Sequence, residues 1–397
     1  MKQMFAKTPR VYVAVVVAAI FMVAVVAGCG GKSSTGPADG KQAVSLNIST
    51  AGDTNMVELQ KEAVLPAYKQ KNPNLNVSAT VFGTGTGDAG SRNIYTKLKA
   101  QKEAGKDKWD IDVAIVHQSI MADLIKDDLL YKYVPQTGIA AQVVSANSKN
   151  SLGTPVDGYV IPLFQSQVAL AYNPDLMATP PKSFAELVDW IKANPKKFGY
   201  NGIKGGMSGV GFAAGYVYWR TGKYDIYAKG PYDKANEAEW PAIIKELKAL
   251  PVTITNGNNG TLDMLNRGEI AAGAVWVDMF YLWVGEGRMN PKTRLKLIDP
   301  GLPGQPMYIV IPKNAANRDA AVKYAEFLAS PQVQGDFIVA RNNWYPGIDA
   351  NAVLPAVSPQ AKERLFKDIS AEDLQKRSLS FPLEQYLKDL IGAFEEN

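Results

Sequence analysis

From residue 44 onward the chain alternates short β-like segments with longer helical ones, and that alternation restricts it to an α/β sheet protein. Residues 44–48, Val-Ser-Leu-Asn-Ile, alternate apolar and polar as a half-buried strand does. A helix over 56–71 follows, stopped by Asn72-Pro73. Residues 77–82 form a second strand, and a helix over 92–103 comes after the Gly-rich turn 83–90. The segment 112–116 is a short buried strand of the parallel kind. The middle repeats the theme: a long β-like segment spans 159–172, and Ser183-Phe184-Ala185-Glu186 is a capping-box pattern opening a helix to Asn194. Helices over 240–250 and 261–267 precede strands at 271–277 and 307–311. Helices over 318–329, 332–340, 359–367 and 382–394 complete the chain. Apolar residues make up 46% of it, which at this length exceeds one ordinary domain core. Two lobes are expected.

The amino terminus speaks to compartment. Lys2, Lys7 and Arg10 precede an uncharged stretch over 11–27, and the chain turns polar after Cys29. That order is a secretory signal. The apolar run is short for a membrane span of about 20 residues. Cys29 is the single cysteine, so intramolecular disulfides and cysteine metal clusters are excluded. Val26-Ala27-Gly28-Cys29 resembles a lipobox, which implies a signal peptide over 1–28 and a lipid on Cys29. Residues 29–42 then read as a flexible tether. Loss of residues 1–28 lowers the formal net charge from +5 to +2. No basic cluster suits nucleic acid.

Several segments together resemble the bacterial family 1 extracellular solute-binding proteins, with maltose-, polyamine-, thiamine- and iron-binding members. They are Leu65-Pro66-Ala67-Tyr68 with Asn72-Pro73-Asn74-Leu75, Trp109-Asp110-Ile111-Asp112, and Ile161-Pro162 with Leu170-Ala171-Tyr172-Asn173-Pro174-Asp175. Arg267-Gly268-Glu269-Ile270 and the run from Asn317 to Leu328 complete the set. The resemblance implies a periplasmic-binding-protein-like type II fold: two lobes, a hinge and a ligand cleft between them. Residues 43–165 with 295–330 would form one lobe, and 166–294 with 331–397 the other.

Loops after strands and the hinge are where such a cleft finds its contacts. Gly52 permits close backbone approach, and Asp53 either accepts hydrogen bonds from ligand or, like Thr54, caps a helix. The loop 83–91 offers amides to an anion, but Asp88 repels phosphate. His117 and Gln118 follow the buried strand; His117 is the sole histidine, which excludes imidazole-rich metal sites. Gln165 and Gln167 alternate to one face of the long strand and need polar partners. Ser208 sits in a Gly/Ser loop before a helix. The resemblance places Trp276 and Asp278 near where relatives meet ligand, and Tyr308 and Trp344 join the candidate set. Rings at these positions either stack on ligand or pack in the core.

These features imply a lipid-anchored binding protein on the outer face of the cytoplasmic membrane, periplasmic where there are two membranes. It is expected to be a monomer without cofactor or metal that serves the transmembrane subunits of an ABC importer. The solute is a small polar molecule: carbohydrate-like first, an organic cation such as a polyamine or thiamine second, an anion third. A tethered sensory protein is an alternative from the same closure chemistry. A secreted hydrolase is disfavoured: Gly206-Met207-Ser208-Gly209-Val210 misses the Gly-x-Ser-x-Gly pattern at its last position, and no metalloprotease or Cys–His motif is present.

Overall fold

One long strand organises the fold. The computed structural model describes residues 42–52, 54–85, 87–204 and 206–396. The expected signal, Cys29 and Asp53 lie outside them. Strands β1 (Gln42–Thr50), β2 (Leu75–Gly83) and β3 (Val113–His117) come first. A small hairpin, β4 (Asn150–Ser151) and β5 (Thr154–Pro155), precedes β6 (Val160–Tyr172). Then follow β7 (Phe198–Tyr200), β8 (Thr253–Ile254), β9 (Ala272–Trp276) and β10 (Arg294–Lys296). The chain returns through β11 (Leu302–Val310), β12 (Tyr345–Pro346) and β13 (Ser378–Ser380).

The sheet runs β2-β1-β3-β11-β6-β9-β7-β8. Residues 160–167 of β6 pair antiparallel with β11, and 168–172 pair antiparallel with β9. The strand therefore changes partner between Gln167 and Val168, and the two halves of the sheet meet there. Gln167, fully buried, satisfies the backbone at this junction. Its Nε2 donates to the carbonyls of Leu302 at 2.7 Å and Val168 at 2.9 Å, and its Oε1 accepts from Ser378 Oγ at 2.5 Å. This is the partner its place in an apolar strand requires.

In the first half, β1 lies parallel between β2 and β3. The Asp112 carboxylate, buried just before β3, accepts from the backbone N–H groups of Asn47 at 2.8 Å and Asn317 at 2.7 Å. One side chain thus ties β1 to the start of helix Arg318–Leu328. In the second half, β7 lies parallel to β8 and β9. Helix Phe184–Ala193 opens on the expected cap, with Ser183 Oγ accepting from Glu186 N at 3.2 Å. Glu186 itself accepts from Lys182 N, one residue before the full capping box.

Residues after 331 make contacts with the first half. Gln334 donates to Leu163 O at 2.7 Å, Arg341 pairs with Glu62 at 2.8 Å, and Tyr345 pairs with Gln165 in β12. Arg294–Lys296, at the expected 294/295 boundary, pairs with residues 170–172 of β6 in the second half. Helix Glu384–Glu396 packs on Trp240–Ala249 in the second half.

Candidate functional site

A cleft of about 400 Å³ opens where the halves meet at β6. Strand alternation decides what faces it. Phe164 and Ser166 of β6 line it from one side of the pleat, Met307 and Gln305 of β11 do the same, and Gly52, Asn55 and Met56 approach from the end of β1. The second half supplies Asn201, Gly206–Ser208, Asn256–Asn259, Trp276, Asp278 and Met279.

Three helices begin at this cleft: Met207–Thr221, Gly257–Asn266 and Val277–Gly285. None has its first turn capped by a side chain at the N-cap position. Their leading N–H groups therefore lack the acceptor that an N-cap side chain ordinarily supplies. Asp278, acidic in the first turn of the third helix, complements that helix's dipole. It is buried and accepts a short hydrogen bond from Ser166 Oγ. Asn258 Oδ1 accepts from Trp276 N at 2.8 Å and so locks two of these starts together.

The first half contributes a neutral imidazole. Burial pushes His117 down to about 4, against the pull of Asp88. Its Nε2 lies 3.2 Å from Gln305 Nε2. With the amide nitrogen as donor, the ring proton sits on Nδ1. His117 Nδ1, Gln305 Oε1, Ser208 Oγ, Asn201 Oδ1 and Asn258 Nδ2 are all buried without a hydrogen-bond partner. A wall holding both donors and acceptors in that state suits a ligand whose groups can do either. The opposite character comes from Phe164, Trp344, Trp276 and the thioethers of Met56, Met207, Met279 and Met307. Asp278 is the one carboxylate among these lining residues, and Lys and Arg are absent from them.

Of the positions expected from sequence, Gly52, His117, Ser208, Trp276, Asp278 and Trp344 line this cleft. Gln118, Gln165 and Tyr308 are not among its lining residues. On their strands Gln165 and Tyr308 are the immediate neighbours of the lining residues Ser166 and Met307 and so point to the other side, whereas Gln118 opens the short 3-10 turn that follows β3. Gln118 lines a second cavity, Gln165 Oε1 accepts from Asn147 Nδ2, and the buried Tyr308 donates to Asn147 O. The described residues of the Gly-rich loop 83–91 are not part of the cleft lining; Asp88 there pairs with Arg92 at 2.7 Å and accepts from Ser119. The amides at Asn55, Asn201 and Asn256–Asn259 carried no periodic signal, although the Asn-Gly-Asn-Asn-Gly run at 256–260 is visible in the sequence. Among the described residues, no group of three or more His, Cys, Asp and Glu is placed to hold a metal, and no helix is long and apolar enough to cross a membrane.

The bacterial extracellular solute-binding protein family matches residues 53–335, well over half of the chain. The protein belongs to this family. Among curated proteins none matches its sequence. Solved solute-binding proteins share its fold. An ABC transporter solute-binding protein from Thermotoga lettingae, bound with alpha-D-tagatose, superposes at TM-score 0.67 with 18% identity, over 88% of this chain and 92% of that one. The TpPotD lipoprotein of Treponema pallidum gives 0.64 at 11% identity, over 89% and 98%. The spermidine/putrescine substrate-binding protein PotD of Streptococcus pneumoniae gives 0.58 at 16%, over 89% and 98%. At these identities the likeness establishes the fold: the α/β, periplasmic-binding-protein-like arrangement of the solute-binding proteins. Family and neighbours are transport proteins and not enzymes.

Proposed function

We propose that this solute-binding protein captures an uncharged, polyhydroxylated small solute in the β6 cleft and delivers it to the permease of an ABC importer. The two halves act as lobes that close about the partner change in β6. A ligand bridging them favours the closed state by its differential contacts there. The observation that carries the solute class is the set of five unpartnered buried donors and acceptors facing aromatic and thioether walls. Hydroxyl groups donate and accept at once, and sugar faces stack on rings. The Thermotoga relative bound with a ketohexose supports the same choice. Cys29 is the proposed anchor, lipidated and holding the body at the outer face of the membrane.

A second reading rests on the carboxylate of Asp278, buried among the lining residues together with the rings of Phe164, Trp276 and Trp344, a combination that suits an organic cation. A thermal-shift panel of sugars, polyols, polyamines and thiamine against the protein lacking residues 1–41 separates the two. Saturating solute raises the melting temperature by linkage. Shifts confined to sugars or polyols support the proposal, shifts confined to cations support the second reading, and none in either class removes both.

A further inference from the structure

The hairpin of β4 and β5 turns through Leu152 and Gly153, both at positive φ, +49° and +95°. This is the φ pattern of a type I′ turn, in which Asn, Asp or Gly is the ordinary first residue and a bulky leucine is strained. The turn is otherwise well made, since Gly153 N donates to Asn150 Oδ1 at 2.8 Å. Leucine at that place therefore calls for a reason outside the hairpin.

That reason lies across the halves. The hairpin is anchored to the first half: Ser151 Oγ donates to Gln118 O at 3.1 Å, and Tyr308 OH donates to Asn147 O just upstream. Its tip reaches the second. Leu152 O accepts from Glu384 N at 3.0 Å at the start of helix Glu384–Glu396, and the Leu152 side chain packs against the apolar cluster of Val210, Phe381 and Leu387. Met207 and Trp276 pack on the same cluster while lining the cleft. One strained leucine thus joins the halves at a cluster that also carries two residues of the cleft lining.

We infer that Leu152 is a positioning residue for solute capture: a latch that holds the two halves together without touching the ligand and sets how often the empty cleft is open. It rests on the closing-cleft reading above. The test needs no ligand, so a failed solute panel and a failed latch are separate results. Spin labels at Lys69→Cys in the first half and Lys192→Cys in the second, both exposed, report the distance between halves. The full chain carries Cys29→Ser so that only these thiols react. Leu152→Asn and Leu152→Gly suit the turn's φ better than leucine, so the hairpin persists while the apolar contact is lost. Each is expected to raise the longer-distance population at least threefold, whereas Leu152→Met keeps the parent distribution. Distributions unchanged in both Asn and Gly variants overturn the latch. So does a Met variant as open as they are.

Discussion

Phe164 and Trp344 stack face to face in the cleft wall, ring centroids 3.9 Å apart and planes 4° apart. Phe164 belongs to β6, and Trp344 arrives on the loop that ends in β12. Trp344 retains only 3% exposure, so it is a core residue that also lines the cleft. Trp276, by contrast, is half-buried. Trp344→Ala is therefore expected to destabilise the empty protein by about 3–5 kcal/mol, in the range of large buried aromatic deletions. Trp276→Ala should leave the empty protein folded and abolish the solute-induced shift. Melting curves with and without solute check both.

Asp278→Asn keeps an acceptor for Ser166 while removing the only carboxylate among the described residues of the cleft lining. A neutral polyol should lose no more than about tenfold in affinity, roughly 1.4 kcal/mol. An organic cation should lose more than a hundredfold, because its buried charge would go unmatched. Titration calorimetry with the solute found in the panel distinguishes them.

His117 links stability to pH. An unfolded histidine titrates near about 6.5, whereas burial lowers this one to about 4. Between those values the unfolded chain binds the extra proton, so stability falls as pH drops from 6.5 toward 4 and is fully present above 6.5. The loss amounts to about 3 kcal/mol at its limit. His117→Gln should lose less on acidification. Melting temperatures at pH 7 and pH 4.5 for both proteins give the comparison, and equal drops would refute the assignment.

Gly209 lets the first turn of helix Met207–Thr221 sit against the preceding loop. A Cβ there would lie 1.7 Å from Gly202 O and 2.4 Å from Asn201 Oδ1. Backbone must move to admit it, carrying Asn201 and Ser208 out of the cleft wall. Gly209→Ala is expected to cost about 1–3 kcal/mol of stability and to weaken solute binding at least tenfold, measured by the same melting and calorimetric experiments.

Much of the fold was legible from local pattern. The strands at 44–48, 77–82 and 112–116, the long β6 and the Ser183 cap all follow from periodicity and capping chemistry, which act over a few residues. The family to which the chain belongs, and the placing of Trp276 and Asp278 near a ligand, came instead from resemblance to known members. The side of the pleat each residue faces was not legible, because β6 and β11 are buried on both sides and their apolar runs carry no alternation to read. Only the packed sheet put Ser166 and Met307 in the cleft and turned Gln165 and Tyr308 away. Nor does local sequence announce that Leu152 crosses to Glu384 or that Trp344 meets Phe164. Those contacts join residues more than 150 positions apart, and such distant neighbours are chosen by the whole fold rather than by any local preference.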